Sequence, residues 1–253
     1  MANPPGFNSK EFAVDAYKPQ PIPETIWPIL SKLDLKPLTN YKGVDLTDIL
    51  RIKKPLMEAS ILVFHTDKIE KLMTGFLVFM RRMAMTPLVI IPKDDYDFPM
   101  LGTEYIENPG RLHFLFDMHP LRDIVVEPWY REKYLDPFEP IWKEYIDLHN
   151  DINPNIWFRA MLSPFPICCR QEPKNSDRSG FSRATEFLAK SLEYYINNVI
   201  PKAEPITNPQ AKQYIVKRKN MIRETFRTMD PGGGPLAKTL GIDLAKKVLL
   251  ALF

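Results

Sequence analysis

The sequence predicts an α+β layer architecture, and three observations carry that reading. Runs of strand character occupy the middle of the chain, helical periodicities flank them at both ends, and 253 residues with 45% apolar side chains suffice for one sizeable core. No linker-like stretch interrupts the chain, so it reads as a single domain over 1–253 with residues 1–20 as an irregular arm. Pro23–Leu35 places Ile26, Ile29, Leu30 and Leu33 at helical spacing, with Pro23 suited to a helix start. Ile61–His65, Lys71–Phe79 and Pro87–Pro92 read as strands, although MTGFLVFMRRMAM also fits a helix. A polar connection bearing Pro and Gly then leads to a strand over Arg111–Asp117, which makes 87–121 a hairpin-like centre. In that strand Leu112, Phe114 and Phe116 alternate with His113, Leu115 and Asp117, so Asp117 faces away from the phenylalanines. Phe138–His149 is expected as a helix with Phe138, Ile141, Trp142, Tyr145 and Leu148 on one side. Trp157–Cys169 returns to strand character. Ser182–Val199 is expected as a helix N-capped by Ser182, and Pro209–Arg227 and Pro235–Phe253 complete a helical C-terminal third.

Composition narrows the function. A net charge of +3 is too mild for an avid nucleic-acid binder, and the basic run KRKNMIR lacks the interleaved aromatics of an RNA surface, while a slightly basic surface suits an acidic protein partner. Cys168 and Cys169 are adjacent, a geometry that disfavours their pairing, and are read as reduced thiols of an intracellular protein. Four scattered His without a C-x-x-C pair give no metal-ligand set. No stretch approaches the roughly 18 apolar residues of a membrane span. The opening MANPPGFNSKEF has neither an apolar signal core nor the composition of an organelle leader, so the expected location is cytoplasmic, or the plastid stroma for a processed precursor. The 25 prolines are dispersed as punctuation, and there is no internal repeat.

Three segments, in order, carry a resemblance. YDFPMLGTEY (96–105) is followed by a hydrophobic strand closing on FDMHPL (116–121), WFRAMLSPFPICCR spans Trp157–Arg170, and MDPGGGPLAKTLGIDLAKKVLLALF closes the chain from Met229. Together they resemble the ferredoxin-dependent bilin reductases over roughly Ile61–Phe253, whereas the first 60 residues match little. The resemblance implies a three-layer α/β/α sandwich with a central antiparallel β-sheet and a linear tetrapyrrole lying between the sheet and the C-terminal helices. It also implies single electrons from a 2Fe-2S ferredoxin, protons from side chains, and no bound metal or organic cofactor. Biliverdin IXα is the implied substrate, ferredoxin the partner, and a monomer the working unit.

By residue type alone, Asp117 is a strand-end acid before the His119-Pro120 turn and Asp230 a turn residue before Pro231. By the resemblance, Asp117 matches the family's central proton donor and Asp230 its C-terminal acid, both needing a carboxyl tuned by burial against an apolar substrate. Substrate contacts are expected from Arg159, Ser163 and Arg170 on the propionates, with Arg81 and Arg82 as further cations, and from His119 and His113 as pocket polarity. Lys53, Lys54, Lys217, Arg218, Lys219, Arg223, Lys246 and Lys247 are expected on a docking face for acidic ferredoxin. Two departures bear on the product. An ungapped carry-over puts Gly75 and Pro87 where the phycocyanobilin-forming branch has a Glu and a His, so the chain looks more like phycoerythrobilin-, dihydrobiliverdin- or phytochromobilin-forming members. Gly232–Gly234 occupy a turn where relatives usually carry an Arg, and three glycines are expected to make it flexible. The alternatives are a catalytically impaired bilin-binding protein on the same fold, a reductase of another open-chain tetrapyrrole, or a binding module unrelated to bilins.

Overall fold

The computed structural model describes residues 22–80, 83–108, 111–153, 155–171 and 179–253. Arg81, Arg82 and the expected N-terminal arm lie outside the described residues. Ten strands follow in chain order: β1 (Lys36–Pro37), β2 (Asn40–Tyr41), β3 (Val44–Asp45), β4 (Ile52–Lys54), β5 (Met57–His65), β6 (Ile69–Phe79), β7 (Met83–Pro92), β8 (Met100–Asn108), β9 (Arg111–His119) and β10 (Ile167–Gln171). β5 to β9 form an antiparallel meander, β10 pairs with β9 at one edge, and β1 and β4 pair with opposite ends of β5 at the other. β2 and β3 make a separate two-stranded ribbon.

The helices are α1 (Ile22–Leu30), α2 (Pro128–Tyr134), α3 (Glu139–Glu144), α4 (Ile156–Arg159), α5 (Ser179–Tyr194), α6 (Pro209–Met229), α7 (Gly233–Leu240) and α8 (Ile242–Leu252). Period-two alternation sends even residues of β5 to β7 and β9 to one face, where Phe76, Phe114 and Phe116 meet Ile26 of α1, Tyr134 of α2 and Phe187 of α5. The opposite face carries Ile61, Met73 and Val89 against Ile222 of α6, Leu236 of α7 and Val248 of α8. The result is the three-layer α/β/α sandwich with a central antiparallel sheet.

Several local expectations change. Pro87–Pro92 and Arg111–Asp117 are not neighbours, because the supposed loop between them contains β8, which pairs with both β7 and β9. The helix expected over Phe138–His149 is divided into α3 and flanking 3-10 turns, with Pro137 and Pro140 standing in the first turns of successive segments. The Trp157–Cys169 strand begins only at Ile167, since Trp157 to Arg159 lie in α4 and Pro164 and Pro166 supply no ladder N–H in between. α1 stops at Leu30 rather than Leu35. α5 starts at Ser179, so Ser182 lies within its first turns instead of capping it. A side-chain cap among the described residues is Asn208 at α6, which accepts from the N–H groups of Gln210 (2.9 Å) and Ala211 (3.2 Å), with Pro209 in the first turn.

The Gly-rich turn leads directly from one helix into the next. Asp230 ends α6, its Oδ1 accepts the Gly232 N–H at 2.6 Å, and α7 starts at Gly233. The expected closing helix is two helices because Gly241, at φ +85°, turns the chain between them in a conformation that favours glycine. No helix among the described residues is long and apolar enough to cross a membrane.

Candidate functional site

The strands at the centre of the sheet are sealed on one face and open on the other. In β8, Leu101, Thr103, Tyr105 and Glu107 are buried, while Gly102, Glu104, Ile106 and Asn108 on the α6 to α8 side stay partly accessible. β9 continues the pattern: Phe114 and Phe116 are buried, His113 and Leu115 are partly accessible, and only toward its end are Asp117 and His119 enclosed. Met85, Glu104, Ile106, His113 and Leu115 therefore stay partly accessible on the face that the C-terminal helices cover only in part.

At the closed end stands the acid expected from the sequence. Asp117 points away from Phe114 and Phe116, as its period-two position predicted, and is 1% exposed. Its carboxyl accepts from the Ser163 hydroxyl at 2.5 Å, from the Ser163 N–H at 3.0 Å and from His119 Nδ1 at 2.8 Å. His119 follows two residues later on the same face, and its Nδ1 also lies 3.2 Å from the Met161 carbonyl. Burial disfavours the charged imidazole, but the charge and hydrogen bond of Asp117, with the Met161 carbonyl, outweigh it and hold the ring above its ordinary pKa. Phe158 and Phe226 meet the ring edge-on at centroid distances of 6.4 and 5.5 Å. Its Nε2 lies 3.2 Å from where a Cβ on Gly102 would stand, so the bare backbone of β8 makes room for the imidazole.

A second acid on the same face was not among the candidates. Glu104 pairs across the sheet with Pro87 on one side and Leu115 on the other and is partly accessible. No hydrogen bond or ion pair joins its carboxyl to another described residue. Burial first, and then the negative charge of Asp230, push its pKa up to about 7. Asp230 stands at the end of α6, one turn beyond Phe226, close enough for its charge to act on Glu104. A carboxyl that remains partly protonated near neutrality can donate a proton and then take one up.

The remaining candidates divide. Ser163 is buried with its hydroxyl committed to Asp117. Arg170 is exposed on β10, directly across from His113, whose pKa is lowered by burial and by the Arg170 charge. Arg159 is exposed at the end of α4 rather than on a strand. Two of the residues expected on a docking face are interior: Lys219 reaches Glu70 at 2.6 Å, the Pro92 carbonyl at 3.0 Å and Asp94, and Arg223 binds Glu70 at 3.1 Å and the Tyr41 hydroxyl. Arg218 donates to the Pro120 carbonyl and Lys247 pairs with Asp48, which leaves Lys53, Lys54, Lys217 and Lys246 exposed. Cys168 and Cys169 are free thiols directed to opposite sheet faces, and burial raises their pKa values to about 11 and about 12. Among the described residues no cluster of three or more His, Cys, Asp or Glu could hold a metal ion.

Comparison with known proteins gives this architecture its class. Residues 31–252 match the family described as ferredoxin-dependent bilin reductase, and the chain belongs to that family. It is 25% identical over 158 residues to a phycoerythrobilin:ferredoxin oxidoreductase of Gloeobacter violaceus, a match covering 60% of each chain. To the phycoerythrobilin:ferredoxin oxidoreductase of Nostoc punctiforme it is 23% identical over 251 residues, covering 96% of this chain and 94% of the relative. The fold is similar to that of a tomato phytochromobilin synthase solved in complex with biliverdin, with a TM-score of 0.77 at 18% identity, covering 90% of this chain and 80% of that one.

Proposed function

We propose that this chain reduces biliverdin IXα to a phycobilin or dihydrobiliverdin, using single electrons from reduced 2Fe-2S ferredoxin and protons from its own acids. The reading is supported by the match of residues 31–252 to the ferredoxin-dependent bilin reductase family and by Glu104, a partly accessible acid whose pKa burial and the charge of Asp230 push up to about 7. An extended bilin laid over the accessible face presents pyrrole N–H groups to Glu104 and its conjugated edge to Asp230. Reduction of one double bond takes two electrons and two protons, so two reduced ferredoxins leave oxidised for each product bond. The first electron makes the bilin basic, and a carboxyl already protonated nearby delivers a proton without waiting for solvent. Asp117 acts with His119: the acid raises the pKa of the imidazole, whose Nε2 lies against Gly102. Ser163 fixes Asp117, while Arg170 and Arg159 are the cations for the propionates. No bound metal or organic cofactor is needed for this chemistry.

Gly75 supports a product outside the phycocyanobilin branch. A Cβ there would stand 2.6 Å from the Ser60 carbonyl oxygen, so a carboxyl side chain at that position is sterically closed. The test is an anaerobic assay with biliverdin, ferredoxin and a reducing system, read by absorption and product chromatography. Loss of the biliverdin band with appearance of a reduced bilin is the expected result. A bound but unaltered chromophore would instead indicate a binding protein, and failure to bind any bilin would remove the reading altogether.

A further inference from the structure

We propose that Phe253, just past the end of α8, is a positioning residue for His119, held in place by buried cations and acting through the ring of Phe226. The proposal rests on the reading above in which Asp117 acts with His119. The ring of Phe253 lies flat on that of Phe226, with centroids 4.8 Å apart and planes at 4°. The same Phe226 ring approaches His119 at 5.5 Å, Trp157 at 5.6 Å and Phe158 at 6.1 Å, each steeply inclined. Phe226 is only partly buried, so the surrounding core does not by itself lock its rotamer, and the parallel ring of Phe253 supplies the missing support.

Three cations hold the end of α8. Arg227 Nη2 donates to the Phe253 main-chain oxygen at 2.6 Å and Arg223 Nε at 3.2 Å, while Lys71 Nζ donates to the Leu250 carbonyl at 2.8 Å. Cations at a helix C-terminus satisfy its last carbonyls and complement its dipole. An exposed lysine supplies that service at little cost, whereas Lys71 is 0% and Arg223 2% exposed. Lys71 pairs with no acid among the described residues and lies 5.0 Å from the centre of the Tyr41 ring. Burial and the charges of Arg223 and Arg227 press its pKa well below the ordinary lysine value. Cations buried this deeply are an expensive way to cap a helix, and what they add is a fixed place for Phe253.

His119 needs that fixed wall. Both neighbours of its Nδ1, the Asp117 carboxyl at 2.8 Å and the Met161 carbonyl at 3.2 Å, are acceptors, so Nδ1 carries a proton and Nε2 is the nitrogen that gains and loses one. The bond to Asp117 holds its geometry only while the ring plane is fixed, and Phe158 and Phe226 are the two rings set against it. Phe158 is buried, so Phe226 is the side of this wall that depends on a further support. The charged groups that act on the imidazole are Asp117 from its own strand and, in the opposite sense, Arg218 of α6.

The test compares Phe253→Ala, Phe253→Tyr, Arg227→Gln and Val248→Ala with the unaltered chain, by NMR of the His119 Nδ1 proton and by single-turnover reduction of biliverdin. Phe253→Ala and Arg227→Gln should broaden the Nδ1 signal through exchange with water and slow turnover about tenfold, with bilin affinity unchanged. Phe253→Tyr keeps the stacked ring and should retain both the signal and the rate. Val248→Ala empties a buried site on the same helix, so it should lower the melting temperature while leaving the Nδ1 signal and the rate as in the parent. A sharp Nδ1 signal and the parental rate in Phe253→Ala, or equal broadening in Val248→Ala, overturns the proposal. Failure of the unaltered chain to reduce biliverdin overturns the reaction proposed above, and the Nδ1 signal still decides whether Phe253 positions His119.

Discussion

The two faces of the central sheet come from the same strands and differ only in which alternate residues they present. On the α1 and α5 side, Phe116 meets Phe138 and Phe187 at centroid distances of 5.6 and 5.0 Å, and every facing residue of β8 and β9 is buried. On the α6 to α8 side the same strands carry Gly102, Glu104, His113, Asp117 and His119. Apolar packing on one face holds the sheet rigid, and that rigidity lets the other face keep space, acids and an imidazole in fixed positions. The comparison teaches that stability and chemistry are separated here by a period of two rather than by distance along the chain.

Substitutions can break that separation in either direction. Phe116→Ala should cost ~3–5 kcal/mol, the usual penalty for emptying a packed aromatic site, and this is checked by denaturant unfolding. Bilin affinity of the protein that remains folded should be unaltered, since the lost ring lies on the sealed face. Gly75→Ala should cost ~1–3 kcal/mol by overpacking, because the new methyl meets the Ser60 backbone oxygen and cannot push aside a flexible side chain. A melting curve unchanged from the parent would show that β5 and β6 can spread there.

His119 sharpens the comparison through pH. Its folded pKa is raised above the unfolded value, so its stabilisation is fully present below about pH 6.5 and is lost as pH rises through the folded pKa. His119→Asn should therefore show its largest stability deficit in acid, a deficit that narrows on the alkaline side. Unfolding of both proteins across pH 5 to 9 measures it, and a deficit independent of pH would mean the ring acts only by packing.

Much of this was legible in the residues, and what was missed has a physical cause. Alternation of Leu112, Phe114 and Phe116 with His113, Leu115 and Asp117 placed Asp117 on the correct face, because a half-buried strand imprints its period on the sequence. β8 was hidden because it carries the wrong punctuation. Pro99 precedes it, Gly102 and Glu104 occupy partly accessible positions where apolar side chains are not required, and Pro109 and Gly110 follow, so the stretch has loop composition. Missing the strand meant missing Glu104, although Leu101, Thr103 and Tyr105 alternate with it. Asp230 is a turn residue whose side chain accepts the Gly232 N–H, and it also stands close enough to Glu104 for its charge to raise that acid's pKa, a proximity no local pattern reveals. The interior positions of Lys219 and Arg223 depend on Glu70, 149 and 153 residues away, a pairing no local pattern reveals.

The central claim is that Glu104 on the accessible face supplies a proton to the reduced bilin. Its most direct test is single-turnover reduction of biliverdin by Glu104→Gln under anaerobic conditions, followed by absorption and by electron paramagnetic resonance. The account predicts that the variant binds biliverdin like the parent, accepts an electron, accumulates the bilin radical and forms product ~10²–10⁴-fold more slowly. Product formation at the parent rate, with the same pH dependence, would contradict it.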